Sequence, residues 1–399
     1  MPTRQCWAEI HTRFLENNFR FLTSLATPQA QVAAPYAELL AVVKADAYGH
    51  SLQLCAPAVV RGGARWLGVA SVEEGVAARA LCPESQVLIF CGAFPGEGAA
   101  VVEHRLTVVA WEPWQLDELE AAARRAGSSI AVHLEIDTGM SRQGASLGGL
   151  APLLARFAPG SPLRLEGVMT HLFASDEADG RITEEQLSRL NVALERVETA
   201  GVYPEWLSVG ASAALLAGLG QRIAALAARH GMKALLRPGL ALYGVIPEFD
   251  PQFNPVEPAS LTDARASLQP VLEWKTRVVS LRSIPAGAVV GYNGTFVATE
   301  PMRLALVAAG YADGLDRHLG NRFSLLVRGA RAPLVGRVSM DIAVVDVTEI
   351  SGVEPGDEVV ILGSQGSETI TAFEHAEASG TIPWEVFTRI GSRVRRIAV

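Results

Sequence analysis

Lys44 closes an apolar run, Ala41-Val42-Val43, and is followed by Ala-Asp-Ala-Tyr-Gly-His. Taken alone, it is a lysine emerging from a core strand into solvent. A lysine so placed can also form an imine with a carbonyl compound, provided burial or a nearby cation lowers its pKa. Two other segments bear on that choice. Gly210-Ala211-Ser212-Ala213 opens a helical stretch, and Arg237-Pro238-Gly239-Leu240 closes an apolar run. Loops of small residues offer backbone amides and a hydroxyl to an anion. A reactive lysine together with phosphate-type loops points to pyridoxal 5'-phosphate, which needs both. A rival constellation is His133, Glu135 and Asp137, which alternate along one strand face, with His171 further on. These could ligate a divalent metal or form a satisfied polar layer in a barrel core. No metal is expected, because metal-dependent hydrolysis has no use for phosphate loops.

The elements that must position these residues divide the chain in two. Short apolar runs recur at Ala41–Lys44, Trp66–Ala70, Val87–Phe90, Leu106–Ala110, Ile130–Ile136, Leu165–Thr170, Trp206–Val209 and Leu235–Leu240. Between several of them lie segments of helical character: Val72–Leu81, Pro113–Ala126, Glu184–Ala200 and Ala213–His230. Strands alternating with helices indicate parallel βαβ units, and eight of them make a (β/α)8 barrel. In such a barrel, catalysis sits at the carboxyl ends of the strands, and the loops after strands 7 and 8 often hold phosphate. Lys44, Gly210–Ala213 and Arg237–Leu240 all fall at that end. The stretch Pro247–Pro270 holds five prolines and reads as a connection. Beyond it, strand-like segments (Val271–Arg282, Arg303–Val307, Leu325–Arg328, Ile342–Val347, Glu358–Leu362, Val394–Val399) alternate with Gly- and Pro-rich turns. The expected fold is therefore α/β: a barrel over residues 12–250, then a mostly antiparallel β domain over 251–399. The N-terminal strand, residues 5–11, is expected to pack with the second domain.

The 399 residues are 49% hydrophobic and 19% charged, enough apolar matter for a sizeable core and too much for disorder. A net charge of −8 without a basic block argues against nucleic acid or an anionic membrane as partner. Four scattered cysteines make neither a disulfide scaffold nor a CxxC zinc site, and suit a reducing cytoplasm. No leader or membrane span of about 20 apolar residues is expected.

The lysine segment Ala41-Val42-Val43-Lys44-Ala45-Asp46-Ala47-Tyr48-Gly49-His50 closely resembles the cofactor-lysine motif of the alanine racemases. The resemblance runs collinearly through most of the chain. It takes in His133 to Arg142, Met169-Thr170-His171, Arg237 to Gly244, Gly291 to Thr295, Gly310 to Gly314, Val335 to Asp341, Trp384-Glu385 and Ser392-Arg393-Val394. It implies a barrel with a C-terminal β domain and a two-base reaction on pyridoxal 5'-phosphate that interconverts L- and D-alanine, supplying D-alanine for peptidoglycan. Lys44 would hold the cofactor and serve the D-enantiomer; Tyr292 would serve the L-enantiomer. His171, bonded to Arg237, would support that tyrosine, and Arg237 would face the pyridine nitrogen. Tyr48, Ser212, Gly239 and Leu240 would hold phosphate. Arg142 would bind the cofactor's phenolic oxygen and the substrate carboxylate, with Tyr311, Met340 and Asp341 on the substrate side. A homodimer would let Tyr292 complete the partner's site.

Three departures from the family pattern stand out. Glu135 occupies the place of a carbamylated lysine and is expected to orient Arg142 through its own charge. Ser208-Val209-Gly210-Ala211-Ser212 replaces a His-x-x-Asn-Ser pattern, keeping only the phosphate serine. Trp384 replaces a tyrosine at the phosphate and substrate entrance, and an indole donates but cannot accept. A serine, lysine or broad-specificity racemase on the same scaffold is the near alternative. A decarboxylase is disfavoured by Tyr292 and Arg237, and a non-catalytic pyridoxal-phosphate-binding protein by the whole β half.

Overall fold

The structure is a computed structural model and describes residues 5–27, 35–177, 179–250 and 257–399. It separates into two units. One comprises Arg13–Ala47 and Cys55–Gln269; the other comprises Met1–Thr12, Tyr48–Leu54 and Pro270–Val399. Pro251 and Pro255, part of the expected connection, lie outside the described residues.

The first unit is a closed eight-stranded parallel barrel. Its strands are β1 (Ala37–Val42), β2 (Trp66–Val69), β3 (Gln86–Ile89), β4 (Thr107–Ala110), β5 (Ile130–Glu135), β6 (Leu163–Met169), β7 (Trp206–Ser208) and β8 (Lys233–Leu236). Closure comes from Ala37 to Leu39 of β1 pairing with Ala234 to Leu236 of β8. Strands covered on both faces need continuous apolar sequence, and β2 and β4 are buried at every position. The helices between them start and stop where side chains satisfy the backbone. Ser71 caps Val72–Leu81 by accepting the Glu74 N–H. Pro113–Ala126 carries a Glu112/Gln115 capping box, proline in its first turn and left-handed Gly127 at its end. Ala213–His230, continuous as a helical pattern, is two helices, Ser212–Leu216 and Gly220–Arg229; between them Gly218 takes φ +78°, which a helix cannot contain. The barrel unit also runs past residue 250. Helix Ala259–Ser267 packs on Ser212–Leu216, and Ser260 Oγ donates to the Leu216 carbonyl.

The second unit is built on the long strand Leu272–Ile284. It pairs antiparallel with Cys6–Ile10, Met302–Val307 and Glu358–Gln365, while Cys6–Ile10 also pairs parallel with Arg395–Ala398. Alternation along Leu272–Val278 buries Leu272, Trp274, Thr276 and Val278 on one face, as a sheet solvated on its other face demands. Two helices invisible to the strand pattern, Ala372–Ser379 and Pro383–Arg389, complete the unit. Gly49 belongs here. A Cβ on it would lie 2.3 Å from the Phe387 carbonyl oxygen, and its φ of +76° is open only to glycine at low cost. Among the described residues no helix is long and apolar enough to cross a membrane.

Candidate active site

Lys44 follows the end of β1 and begins a turn with unusual backbone. Ala45, Asp46, Ala47 and Tyr48 all have φ between +52° and +56°. Each non-glycine residue in this left-handed region costs roughly 1–2 kcal/mol, so the turn must be held by its surroundings. Glu74 does part of that. Its carboxylate accepts the Ala45 N–H and the Ala70 N–H, both at 2.7 Å, tying the ends of β1 and β2 together. The lysine itself is half-buried. Burial lowers its pKa, Arg142 and Arg237 lower it further, and Cys91 and Glu74 oppose them.

The carboxyl ends of β6, β7 and β8 supply the second cluster. Arg237, only 4% exposed, donates to Ser208 Oγ (2.9 Å), to the Thr170 carbonyl (2.9 Å) and to His171 Nδ1 (3.2 Å). A guanidinium can only donate, so Nδ1 must accept and the His171 proton sits on Nε2. Burial, then Arg237, Arg142 and Lys44, push the His171 pKa down to about 3. The imidazole is neutral near pH 7, with a donor on its far edge. Burial pulls Arg237 down to about 10, with Glu135 opposing; it remains a cation. Serine in place of histidine at 208 thus leaves the guanidinium supported, through a neutral hydroxyl.

Ser212 links the last two loops. Its Oγ accepts the Gly239 N–H (3.0 Å) and the Ala241 N–H (3.1 Å). With both acceptor positions used, the hydroxyl hydrogen is left to donate, as an anion would require. Tyr48 is buried and its pKa is pushed up to about 12, so its phenol is a donor at any working pH.

Glu135, at the end of β5, is 2% exposed. Its carboxylate accepts from Gln143 Nε2, which also donates to the Phe90 carbonyl. Burial raises its pKa against Gln143, Arg237 and Arg142. Its hydrogen-bond partner is the amide; among the described residues it forms no ion pair with Arg142, which is exposed. One layer deeper, His133 is fully buried, and Gly167 makes room for it: a Cβ there would lie 2.5 Å from the ring. His133 Nε2 is 3.7 Å from Glu166, whose other partners are Thr107 and Arg164. His133 thus faces Glu166 in the barrel interior, while Glu135, Asp137 and His171 line one small cavity; among the described residues the four do not form a ligand cluster.

The remaining expected residues lie in the second unit. Tyr292 is in a tight turn and 68% exposed. Tyr311 and Met340 are exposed too, and their loops are fastened together: Tyr311 N–H donates to the Ser339 carbonyl and Ala312 N–H to the Met340 carbonyl, both at 3.0 Å. Arg393 donates to both carboxylate oxygens of buried Asp313 and, at 2.7 Å, to Asp341. Trp384 is half-buried on helix Pro383–Arg389. Sequence reading missed Glu74, Gln143 and Gln186 as parts of the site. Only Glu74 carried a signal, three residues after the Ser71 cap, and that signal reads as helix chemistry.

A parallel barrel with a desolvated lysine, a buried arginine–histidine pair and a hydroxyl-bearing pair of loops at one end, accompanied by a separate β unit, defines a lysine-dependent barrel enzyme. Its residues 10–247 match the alanine racemase N-terminal domain, and residues 271–398 match the alanine racemase C-terminal domain. An alanine racemase of Symbiobacterium thermophilum is 37% identical over 396 residues, covering 98% of this chain and 97% of its own. The crystal structure of alanine racemase from D-cycloserine-producing Streptomyces lavendulae superposes with a TM-score of 0.86 at 35% identity, covering 100% of this chain and 98% of that one. That from Bartonella henselae, with covalently bound pyridoxal phosphate, gives 0.80 at 27% identity and covers 99% of both. The chain belongs to the alanine racemase family.

Proposed function

We propose that this chain interconverts L- and D-alanine with pyridoxal 5'-phosphate bound at the carboxyl end of the barrel. The observation that carries the proposal is the half-buried Lys44, its pKa lowered by burial and by two arginines, in a barrel that belongs to this family. The donor set fits the cofactor. Ser212 has a hydroxyl hydrogen to give a phosphate, on a loop pair tied together through the Gly239 N–H; Tyr48 is a protonated phenol, and Arg237 is a buried cation suited to the ring nitrogen. When bound, the cofactor acts as an electron sink that acidifies the Cα–H of an attached amino acid.

The residues then have distinct duties. Lys44, eased toward its neutral amine, takes or returns the Cα proton on one face. Tyr292 does the same on the other. Because a phenol normally titrates near 10, Tyr292 needs donors at its oxygen, and the Nε2–H of neutral His171 would supply one. Arg142, exposed and without an ion pair to Glu135, is available to a substrate carboxylate. Arg237 keeps its charge and so disfavours a proton on the ring nitrogen, restraining side reactions. Glu135, held by Gln143, offsets the two guanidiniums. Tyr311, Met340 and Asp341 form the substrate side, and Trp384 narrows the entrance.

Tyr292 works in the site of a second copy, so the active species is a homodimer. The product D-alanine would feed peptidoglycan synthesis. None of the four cysteines is in a disulfide, which suits a cytoplasmic enzyme.

The test is solvent deuterium incorporation at Cα and enantiomer formation from L-Ala, L-Ser, L-Lys and L-Arg. Alanine should turn over fastest; a faster basic or hydroxylated substrate would instead make the chain a serine, lysine or broad-specificity racemase. Mixing inactive Lys44→Ala and Tyr292→Phe proteins tests the shared site. Random reassociation should restore about a quarter of wild-type activity, since half the dimers are mixed and each has one intact site. No recovery from freely exchanging subunits would place Tyr292 in its own chain's site.

A further inference from the structure

Helix Arg181–Thr199 sends one buried amide, Gln186, toward the loops after β5 and β6. Gln186 is 1% exposed and uses three of its hydrogen-bonding positions. Nε2 donates to Thr138 Oγ1 and to the His171 carbonyl, both at 2.9 Å; Oε1 accepts the Phe173 N–H at 3.1 Å. The partners fix which way the amide faces, because a backbone N–H must meet oxygen and a carbonyl must meet nitrogen. A directed chain continues from it. Thr170 Oγ1 spends its hydrogen on the Ile136 carbonyl (2.8 Å), so in the 2.8 Å contact between the threonines Thr138 donates and Thr170 accepts. Thr138, its hydrogen spent, must accept from Gln186. Each bond polarises the next. Thr170's own carbonyl receives Arg237. Residues 170–173 are therefore pinned at one hydroxyl, two carbonyls and two N–H groups, the Thr170 N–H donating to the Ser208 carbonyl, and Gln186 holds the His171 carbonyl and the Phe173 N–H directly.

We propose that Gln186 is a positioning residue that fixes the His171 backbone and, through Thr138 and Thr170, the seat of the Arg237 guanidinium. The inference rests on the assignment of His171 and Arg237 to the reaction. Glutamate at 186 could still accept from Phe173. It would face the His171 carbonyl with an acceptor and would force Thr138 to reverse, leaving Thr170 without its donor. Leucine would remove all three bonds.

The experiment uses holoenzyme of wild type, Gln186→Glu, Gln186→Leu and Thr138→Val. Each is assayed for kcat and KM with L-alanine and labelled with 15N-histidine, the His171 ring signal being assigned by its loss in His171→Asn. Wild type should show one tautomer, protonated on Nε2. Both Gln186 variants should lose about tenfold in kcat with smaller changes in KM, and should show mixed tautomers. Thr138→Val keeps the bond to the His171 carbonyl and should lose about threefold; it carries the test if the Gln186 variants fail to fold. Unchanged kcat, or a fall in kcat with the His171 signal unaltered, would overturn the proposal. Wild type that racemises no amino acid would remove the functional reading, while the tautomer comparison would still judge Gln186.

Discussion

Ser208→Ala isolates the support that this chain gives Arg237. The substitution removes a single oxygen, at a position fully buried at the end of β7, and leaves the Thr170 carbonyl and His171 Nδ1 in place. What is lost is the acceptor of the Arg237 Nη1–H at 2.9 Å. A hydrogen bond to a charged group is worth roughly 1.5–3 kcal/mol, and the abandoned donor stays buried, so the loss should fall in that range. For a unit of this size, roughly 2–4 °C of melting temperature accompanies each kcal/mol, giving a drop of order 3–12 °C. The assay is thermal unfolding followed in parallel with kcat/KM for L-alanine. Under the role proposed for Arg237, activity should fall about tenfold as the guanidinium loses its fixed seat. Ser208→Thr, which keeps an acceptor oxygen, should recover most of the activity even if its extra methyl costs stability. A Ser208→Ala protein melting within about 1 °C of wild type would mean that Arg237 does not depend on this hydroxyl, and the account of its support would fail.

Other outcomes follow from the same geometry. His171, whose folded pKa is about 3, should show no ring titration by NMR between pH 5 and 9; a midpoint near the ordinary value of about 6.5 would contradict its burial beside Arg237. Burial alone would raise the Glu166 carboxyl, but His133 and Arg164 outweigh it and hold it at about 2. Because the folded value is depressed, its contribution, of order 2–3 kcal/mol, is present above about pH 4.5 and lost as pH falls toward 2. The gap in urea midpoint between wild type and Glu166→Gln should therefore close over that window, and a constant gap would refute the assignment. Gly49→Ala, with its Cβ 2.3 Å from a backbone oxygen, should lower soluble yield or melting temperature sharply; near-wild-type behaviour would show that Phe387 can yield.

The sequence by itself determined the barrel, because eight apolar runs separated by helical stretches leave few arrangements that bury both faces of each strand. It also placed Lys44, Arg237 and Ser212, since position at a strand's carboxyl end follows from chain order alone. The motifs that resemble the family supplied Tyr292, Met340 and Asp341, residues that no periodicity distinguishes from ordinary turns. The second unit was less legible: its helices Ala372–Ser379 and Pro383–Arg389 are too short to impose a helical period, and Cys6–Ile10 finds its partner strand 266 residues or so away, Ala8 opposite Trp274.

Tertiary structure alone decided what touches the reactive groups. Glu74 reads as the last member of a helix cap, yet its carboxylate reaches the turn after Lys44. Glu135 was expected to direct Arg142, and the carboxylate is held by Gln143, eight residues on. Gln186 is one polar residue in an amphipathic helix until the fold buries it against residues 48 and 15 positions earlier. The physical reason is common to all three. Periodicity reports which face of an element is buried, whereas a hydrogen bond depends on angles and distances between elements, which exist only once the barrel has closed.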